Sequence, residues 1–275
     1  MASVRIGAVG YLNARPHVYG LERSPRFDVR FDVPSKCADL LHEGETDLGL
    51  IPSIEYLRGP AEAPHTYRIV PGVSIASRGP VASVALYTPK PIREVRSIAL
   101  DTSSRTSVAL VRILCAREFR IRPILYSSGP RLDGMLAMAD AALLIGDNAL
   151  FLDSESQPGG HSLEKIDLGE VWTRMTGLPF VYAFWAGRPD VLTADDVVAL
   201  QHARDEGITR IAEIAAGCFS DPRHQAIGAR YLRDNIKYDL GADERAGLEL
   251  FYQYAAEAGA VKTAPHSAHR SRCNS

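Results

Sequence analysis

Short apolar runs bounded by turn residues recur along the first two thirds of the chain, with segments of helical periodicity between them. Runs of about four to eight β-branched and aliphatic residues are typical of buried strands. The sequence predicts strands at Val4 to Val9, Val29 to Val33, Leu48 to Ile51, Tyr67 to Val70, Val81 to Tyr87, Ser97 to Leu100, Pro123 to Tyr126, Ala141 to Ile145 and Val181 to Trp185. Strands that alternate with helices indicate βαβ units, so the predicted class is α/β.

The last third of the chain has a different pattern. It contains four successive helical segments with no apolar strand between them: Thr193 to Glu206, Ile208 to Ala216, Pro222 to Ile236 and Asp243 to Ala258. Such helices must pack on a sheet formed earlier in the chain. We therefore expect two lobes, one made of residues 1–87 and 187–262 and the other of residues 88–186. The polar tail, residues 263–275, is predicted to be disordered.

The hydroxyl-rich turn from Thr102 to Ser107 lies between a predicted strand and a helix over Val108 to Phe119. The first turn of a helix leaves backbone N–H groups unpaired and carries the positive end of the helix dipole. Thr106 and Ser107 can therefore hold a carboxylate or a phosphate without a buried lysine. Arg105 either adds a charged donor or faces water. Simple helix capping by a hydroxyl is the alternative, and it needs no ligand.

Other polar residues follow predicted strands in the same way. Asn13 follows the first strand, Ser35 is predicted to cap a helix over Lys36 to Glu43, and Ser53 and Asp147 follow two further strands. In open α/β sheets, ligands bind at the carboxyl ends of strands. In a two-lobed chain these ends can face one cleft, so we expect these side chains to meet there.

Composition and charge exclude several classes of function. The chain has 275 residues and a formal net charge of −2, without a long Lys/Arg block, so we expect neither nucleic acid nor a membrane as a partner. The four cysteines show no paired spacing, which indicates reduced thiols. The sequence shows no signal peptide, so a cytoplasmic location is expected.

Neither a metal nor a cofactor is expected. The eight histidines are scattered without ligand spacing, and the sequence lacks the glycine-rich motifs that bind nucleotides. His17, one residue after the motif that contains Asn13, is the only histidine that we consider for a role in the site. The partner is therefore predicted to be a small molecule, with a monomer or a dimer equally open.

Six motifs together resemble one family. They are Gly10 to Pro16, Gly44 to Tyr56, Gly79 to Val84, Leu100 to Ser107, Leu144 to Asp147 and Thr176 to Ala183. In this order they resemble the chorismate dehydratases of the futalosine route to menaquinone, and the resemblance runs from Arg5 to about Gly259. A sister family, which makes 1,4-dihydroxy-6-naphthoate, shares the fold, but the Tyr-Leu-Asn and Ser-Arg-Thr-Ser sequences favour the dehydratase.

The resemblance implies a two-lobed, periplasmic-binding-protein-like (type II) α/β fold with an interlobe cleft. It also implies a cytoplasmic lyase that converts chorismate to 3-[(1-carboxyvinyl)oxy]benzoate with loss of water. Chorismate carries two carboxylates and a ring hydroxyl, so its site needs anion-binding groups and assistance to the departing hydroxide. Substrate binding is predicted for Ser35, Ser53, Thr106, Ser107 and Gly146.

Asn13, Ser83 and Asp147 are the predicted catalytic residues. Asn13 can donate to a carboxylate or to the leaving hydroxyl, or it can only shape its own turn. Ser83 can bind the ligand or a backbone group of the sheet. Asp147 can cap a helix, orient Asn13 or take the ring proton. The other candidate base is the enolpyruvyl carboxylate of the substrate, which proximity favours.

Two other functions compete with the lyase. A non-catalytic small-anion binding protein would use the same fold, because fold does not fix function. The absence of an export signal from the sequence argues against it. A transcription regulator would need a helix-turn-helix before the first strand, and the sequence shows none there.

Overall fold

The computed structural model describes residues 3–58, 67–152, 163–189 and 191–261. The strands are β1 (Val4–Val9), β2 (Phe27–Asp32), β3 (Leu48–Pro52), β4 (Arg68–Ser77), β5 (Val84–Thr88), β6 (Ser97–Asp101), β7 (Ile124–Ser128), β8 (Ala141–Ile145), β9 (Glu164–Asp167) and β10 (Phe180–Gly187). The α-helices are α1 (Pro34–His42), α2 (Glu55–Arg58), α3 (Arg105–Leu114), α4 (Leu132–Met138), α5 (Asp147–Leu150), α6 (Leu168–Thr176), α7 (Ala194–Thr209), α8 (Ile211–Cys218), α9 (Pro222–Arg230) and α10 (Ala242–Glu257). The predicted tail lies outside the described residues.

The described strands form two five-stranded sheets, one in each lobe. The first has the order β2-β1-β3-β10-β4 and the second the order β7-β6-β8-β5-β9. In each sheet the first three strands are parallel, while β10 and β5 run antiparallel to their neighbours. Helices connect the parallel strands, so the α/β prediction is confirmed. The carboxyl ends of β1, β3 and β8 face the space between the lobes, because residues from these ends line one cavity.

Two strands lie in the lobe opposite to the predicted one. Val84 of β5 pairs with Ile145 in the second sheet, and Phe184 of β10 pairs with Ile51 in the first. The predicted boundaries, 1–87 with 187–262 and 88–186, are therefore wrong by one strand at each crossing. An apolar run indicates that a strand is buried, but it does not indicate which other strand pairs with it.

The strand predicted over Tyr67 to Val70 is longer in the structure, because β4 continues to Ser77. Ser74 and Ser77 are buried in the strand, and each hydroxyl has a partner. Ser74 Oγ donates to the carbonyl of Asp239 at 2.6 Å, and Ser77 Oγ lies 3.0 Å from Tyr182 Oη. Serine predicts a turn from local propensity, whereas a tertiary partner allows it to stay in a sheet.

The C-terminal helices pack on the first lobe, as predicted from their lack of intervening strands. The helix α7 packs on a 3-10 segment, Leu12–Val18, that follows β1. This contact is close, because a Cβ on Gly207 would lie 2.3 Å from the carbonyl oxygen of Pro16. Glycine at this position lets the helix fix the segment that carries Asn13.

Two helices end in a π-helical turn, which the periodicity did not predict. The helix α3 continues as Cys115–Phe119, and α9 continues as Tyr231–Asn235. The start of α1 also differs from the prediction, because Val33 is the N-cap and Pro34 the first helical residue, so Ser35 is not the cap. Proline is favoured at the first helical position, where its missing N–H costs no hydrogen bond.

Candidate active site

A cavity lies between the two lobes, where the strands of both sheets end. Its empty space is about 470 Å³, including the mouth that opens to solvent. Val9, Pro52 and Ile145 line it from the ends of β1, β3 and β8, and Pro34 and Ser104 line it from the starts of α1 and α3. The structure thus places the cavity where open α/β sheets usually bind ligands.

The polar residues that line the cavity are uncharged at neutral pH. They are Tyr11, Asn13, Ser83, Ser104, Ser107 and Tyr182, and the cavity-lining residues in the described part of the chain include no Asp, Glu, Lys, Arg or His. Hydroxyl and amide groups can both donate and accept hydrogen bonds. An anion in this cavity would therefore be held by neutral donors and by helix dipoles rather than by a lysine or an arginine.

Asn13 lies in the Leu12–Val18 segment and lines the cavity from the first lobe. Its Oδ1 atom is buried and has no hydrogen-bond partner among the residues that the structure describes. Buried side-chain oxygens nearly always have a partner, so a free one at a cavity wall marks a position where a ligand can donate to it. The structure therefore brings Asn13 to the site that the sequence predicted.

Ser83 lines the cavity directly before β5, at one of the crossings between the lobes. Its Oγ atom lies 2.7 Å from Tyr231 Oη, and its carbonyl accepts from the N–H of Gly146 at 2.8 Å. The preceding residue, Ala82, has a φ of 64°, which is uncommon for a residue with a Cβ. Asp167 holds this strained turn by accepting from the N–H of Ala82 at 2.6 Å.

The start of α3 provides two hydroxyls to the cavity. Ser104 is the N-cap of α3, its Oγ atom accepts from the N–H of Ser107, and the two hydroxyl oxygens are 3.0 Å apart. Both residues line the cavity, and the dipole of α3 favours negative charge at this end. Ser107 is therefore where the sequence predicted it. Ser104 was missed, although its N-cap position is a local signal that could have identified it.

Thr106 and Ser53 join the two lobes rather than line the cavity. Thr106 Oγ1 accepts from the N–H of Ile54 at 3.2 Å and lies 3.4 Å from Ser53 Oγ. Ser53 Oγ donates to the carbonyl of Val181 at 2.8 Å. Ser35 also joins the lobes, because its backbone N–H donates to the carbonyl of Ser103 at 2.9 Å. The contacts of Thr106 and Ser35 thus connect the two lobes.

Tyr11 and Gly146 contact each other across the cavity. Gly146 has a φ of 62°, and a Cβ on it would lie 2.9 Å from the ring of Tyr11. Glycine is therefore required both by the backbone conformation and by the close approach of the ring. Tyr11 Oη lies 3.3 Å from Ser103 Oγ, and burial raises the pKa of this phenol. The sequence did not identify Tyr11, because its role depends on a residue from the other lobe.

Asp147 lies behind the cavity rather than in its wall. Its Oδ1 atom accepts from the backbone N–H of Leu12 at 3.1 Å, and it borders a separate, open cavity together with Arg15 and Cys218. Burial raises the pKa of its carboxyl group. This position suits a group that orients the segment carrying Asn13, which is one of the roles that the sequence left open.

A cluster of charged residues joins the lobes at another place. Arg105 at the start of α3 pairs with Asp39 at 2.8 Å and with Glu55 at 2.9 Å, so it is neither a ligand donor nor free in water. Glu55 is only 1% exposed and also pairs with Arg58 and His42. Burial acts to raise the pKa of Glu55, but the His42 hydrogen bond and the two arginines together lower it.

His17 is not part of the cavity wall. The side chain is fully buried, and neither ring nitrogen has a hydrogen-bond partner among the described residues. Burial and the charge of Arg204 lower its pKa to about 3, so the ring is neutral. It packs against Tyr238 at a ring-centroid distance of 5.5 Å, which is a core position.

Two general features concern metals and membranes. Across residues 3–58, 67–152, 163–189 and 191–261, no group of three or more His, Cys, Asp and Glu side chains is arranged to hold a metal ion. Within the same ranges, none of the helices has both the length and the apolar character that crossing a membrane requires.

Comparison with known sequences identifies relatives along most of the chain. A family model described as menaquinone biosynthesis matches residues 4–257. A chorismate dehydratase from Thermus thermophilus is 31% identical over 281 residues, which cover 94% of this chain and 96% of that protein.

Comparison with solved structures shows the fold. An Archaeoglobus fulgidus protein has a TM-score of 0.69 at 16% identity and covers 94% of this chain and 99% of its own. A Candida albicans protein is described as exhibiting the generic periplasmic binding protein structural fold. It has a TM-score of 0.63 at 12% identity, and the alignment covers 96% of this chain and 92% of that protein. An ABC transporter protein from Parabacteroides distasonis has a TM-score of 0.62 at 19% identity, and the alignment covers 97% of this chain and 98% of that protein.

The predicted periplasmic-binding-protein-like fold is thereby confirmed. At these identities the solved structures support the fold alone. The sequence comparisons go further, because the family model and the Thermus thermophilus relative both extend over nearly all of the chain. On that evidence the chain belongs to the menaquinone biosynthesis family.

Proposed function

We propose that this protein is a chorismate dehydratase, which converts chorismate to 3-[(1-carboxyvinyl)oxy]benzoate and water. Family membership and the Thermus thermophilus relative support this activity. The structural observation that carries it is the interlobe cavity, whose wall combines neutral donors with a buried, unpartnered Asn13 Oδ1. Such a wall suits a substrate with two carboxylates and a ring hydroxyl.

The start of α3 is the proposed binding site for one substrate carboxylate. Ser104 and Ser107 line the cavity there, and the helix dipole adds positive potential. Hydrogen bonds to a charged group contribute about 1.5 to 3 kcal/mol each. Two of them can therefore replace an arginine without placing a permanent charge in the cavity.

The proposed reaction removes the proton at C3 and the hydroxyl at C4 of the ring. The C3–H electron pair forms the new C3–C4 double bond, the C4–O bond breaks, and the hydroxide leaves with the proton as water. The ring becomes aromatic, which provides the driving force. The reaction needs no oxidant or reductant, because atoms and electrons balance within the substrate.

The enolpyruvyl carboxylate of the substrate is the proposed base. It is attached at C3, and a cavity that fixes its conformation holds it close to the proton that it removes. The absence of Asp and Glu from the described wall supports this choice, since the carboxyl group of Asp147 is engaged with Leu12 behind the wall. Ser83 is proposed to donate to the departing oxygen, and Asn13 Oδ1 to accept the proton of the ring hydroxyl and so orient that hydroxyl, as the transition state forms.

The metabolic setting is part of the same proposal. We assign the protein to the futalosine route because the motifs of the chain resemble the dehydratases of that route. We also propose that it acts in the cytoplasm on a small molecule, without nucleic acid or membrane as a partner. The formal net charge of −2 supports the absence of a polyanionic partner.

Incubation of the purified protein with chorismate tests the activity. The expected result is loss of the diene absorbance of chorismate with stoichiometric appearance of 3-[(1-carboxyvinyl)oxy]benzoate by chromatography. Binding of chorismate by calorimetry without turnover would instead support the small-anion binding protein. The absence of both binding and turnover would contradict both functions.

A further inference from the structure

Tyr231 reaches the candidate active site from a segment that the motifs do not include. It begins the π-helical turn Tyr231–Asn235, which continues α9, and its side chain is only 2% exposed. π-helical turns often occur at functional sites, because the extra residue redirects a side chain. Here the turn directs the phenol to Ser83, which lies 148 positions earlier in the chain.

The phenol of Tyr231 makes one hydrogen bond and lies near a second polar side chain. Its oxygen lies 2.7 Å from Ser83 Oγ. The side chain of Asn13 is close enough to act to lower the pKa of the phenol, although burial raises that pKa more strongly. Among the described residues Asn13 Oδ1 has no partner, so the amide NH₂ group, which can only donate, is the group that faces the oxygen of Tyr231.

These contacts fix the direction of the remaining protons. Tyr231 has one hydroxyl proton, and Ser83 Oγ at 2.7 Å is its hydrogen-bond partner, because the amide NH₂ group of Asn13 cannot accept a proton. Ser83 then accepts from Tyr231 and retains its own proton for a donor bond into the cavity. Burial raises the pKa of Tyr231, so the phenol stays neutral and keeps its proton at physiological pH.

We propose that Tyr231 is a positioning residue for the elimination, which orients Ser83 as a donor and Asn13 Oδ1 as an acceptor toward the substrate. This inference rests on the proposed dehydratase function and extends it to a residue outside the family motifs. Tyr231 acts through the other two residues, and no contact between Tyr231 and the substrate is part of the proposal.

Tyr238 offers a matched control from the neighbouring segment. Its side chain is 6% exposed, and its hydroxyl donates to the backbone carbonyl of Leu232 at 2.9 Å. Tyr231→Phe and Tyr238→Phe thus remove the same atom from similarly buried sites. Only the first change removes a hydrogen bond to a residue that lines the cavity.

Turnover and substrate affinity of the two variants test the proposal. Tyr231→Phe is expected to lower kcat about 10- to 100-fold with KM changed by no more than about twofold, as for the loss of an interaction that strengthens in the transition state. Tyr238→Phe is expected to lower the melting temperature while kcat stays near the wild-type value. Equal losses of kcat in both variants, or a normal kcat in Tyr231→Phe, would overturn the proposal.

A double-mutant cycle separates positioning from general damage. If Tyr231 acts through Ser83, Tyr231→Phe should lower kcat by a smaller factor in the Ser83→Ala background than in the wild type, because one of the two groups that it orients is already gone. Fully additive losses would contradict the proposal. Rates are referred to the folded fraction, measured by calorimetric binding of the reaction product, so partial unfolding does not imitate a catalytic effect.

The wild-type protein distinguishes this inference from the proposed function. If the wild-type protein does not turn over chorismate, the dehydratase assignment itself is wrong. Wild-type turnover together with an unaffected Tyr231→Phe would remove only the role of Tyr231.

Discussion

Two polar clusters join the lobes, and they differ in charge. The charged cluster consists of Asp39, His42, Glu55, Arg58 and Arg105, whose groups pair with one another away from the cavity wall. The neutral cluster consists of Asn13, Ser83 and Tyr231, and two of its members line the cavity.

The difference indicates a division of tasks between the clusters. Hydrogen bonds between charged groups are roughly twice as strong as neutral ones, so the charged cluster is suited to holding the lobes together. Neutral hydrogen bonds depend on the direction of each proton, so the neutral cluster is suited to orienting groups toward a substrate. An arginine in the cavity would bind the substrate and the product alike, whereas neutral donors can act mainly on the developing hydroxide.

The largest effect is expected from breaking the neutral cluster at Asn13. Asn13→Ala should lower kcat by an amount equal to roughly 2 to 4 kcal/mol, with a smaller change in binding, because the side chain acts mainly in the transition state. Asn13→Asp should be worse, since it places a negative charge beside an anionic substrate. Steady-state kinetics and calorimetry check this, with exposed Asn148→Ala as the control. A loss of substrate affinity with unchanged kcat would show that Asn13 binds the substrate equally well in the ground state and in the transition state.

The next effect compares two neighbours on α3. Ser107 lines the cavity, whereas Thr106 bonds to the N–H of Ile54 across the lobes. Ser107→Ala should raise KM by the equivalent of about 1.5 to 3 kcal/mol without lowering the melting temperature. Thr106→Val should raise KM less and lower the melting temperature, because it leaves a buried N–H without a partner. Unchanged kinetics in both variants would contradict the proposed anion site.

The charged cluster should respond to acid. The pKa of Glu55 is lower than its ordinary value of 4.5, so its ion pairs stabilise the folded protein fully above pH 4.5. That contribution is lost as the pH falls through the lowered pKa. Glu55→Gln should therefore reduce the melting temperature at neutral pH by a few degrees, about 1 kcal/mol. The difference from wild type should shrink below pH 4.5. A difference that is constant with pH would show that the charge of Glu55 is not what stabilises the closed lobes.

The smallest effect is expected at Asp147. Asp147→Asn keeps an oxygen that can accept from the N–H of Leu12, so turnover should fall by less than about threefold. Single-turnover measurements with saturating chorismate check this. A loss of four or more orders of magnitude with binding intact would instead identify Asp147 as the base and remove the substrate carboxylate from that role.

The sequence by itself determined the local features of this protein. Strands β1 and β8 have the predicted bounds, because apolar runs and their flanking turns are short-range signals. The motifs also included Asn13, Ser83 and Ser107, which line the cavity. Asn13 and Ser107 could be found because a polar residue in the turn after a buried strand is visible in the order of residues alone.

Only the tertiary structure decided which residues act together. The pairing of β5 with β8 and of β10 with β3 assigned both strands to their lobes, since backbone pairing does not depend on a particular sequence. The sequence predicted that Thr106 binds a ligand, but its hydroxyl oxygen accepts a hydrogen bond from the backbone N–H of Ile54. Tyr231 carried no local signal at all. Its hydroxyl lies 148 positions from Ser83 along the chain, and only the packing of the C-terminal helices on the first lobe brings the two within hydrogen-bond distance.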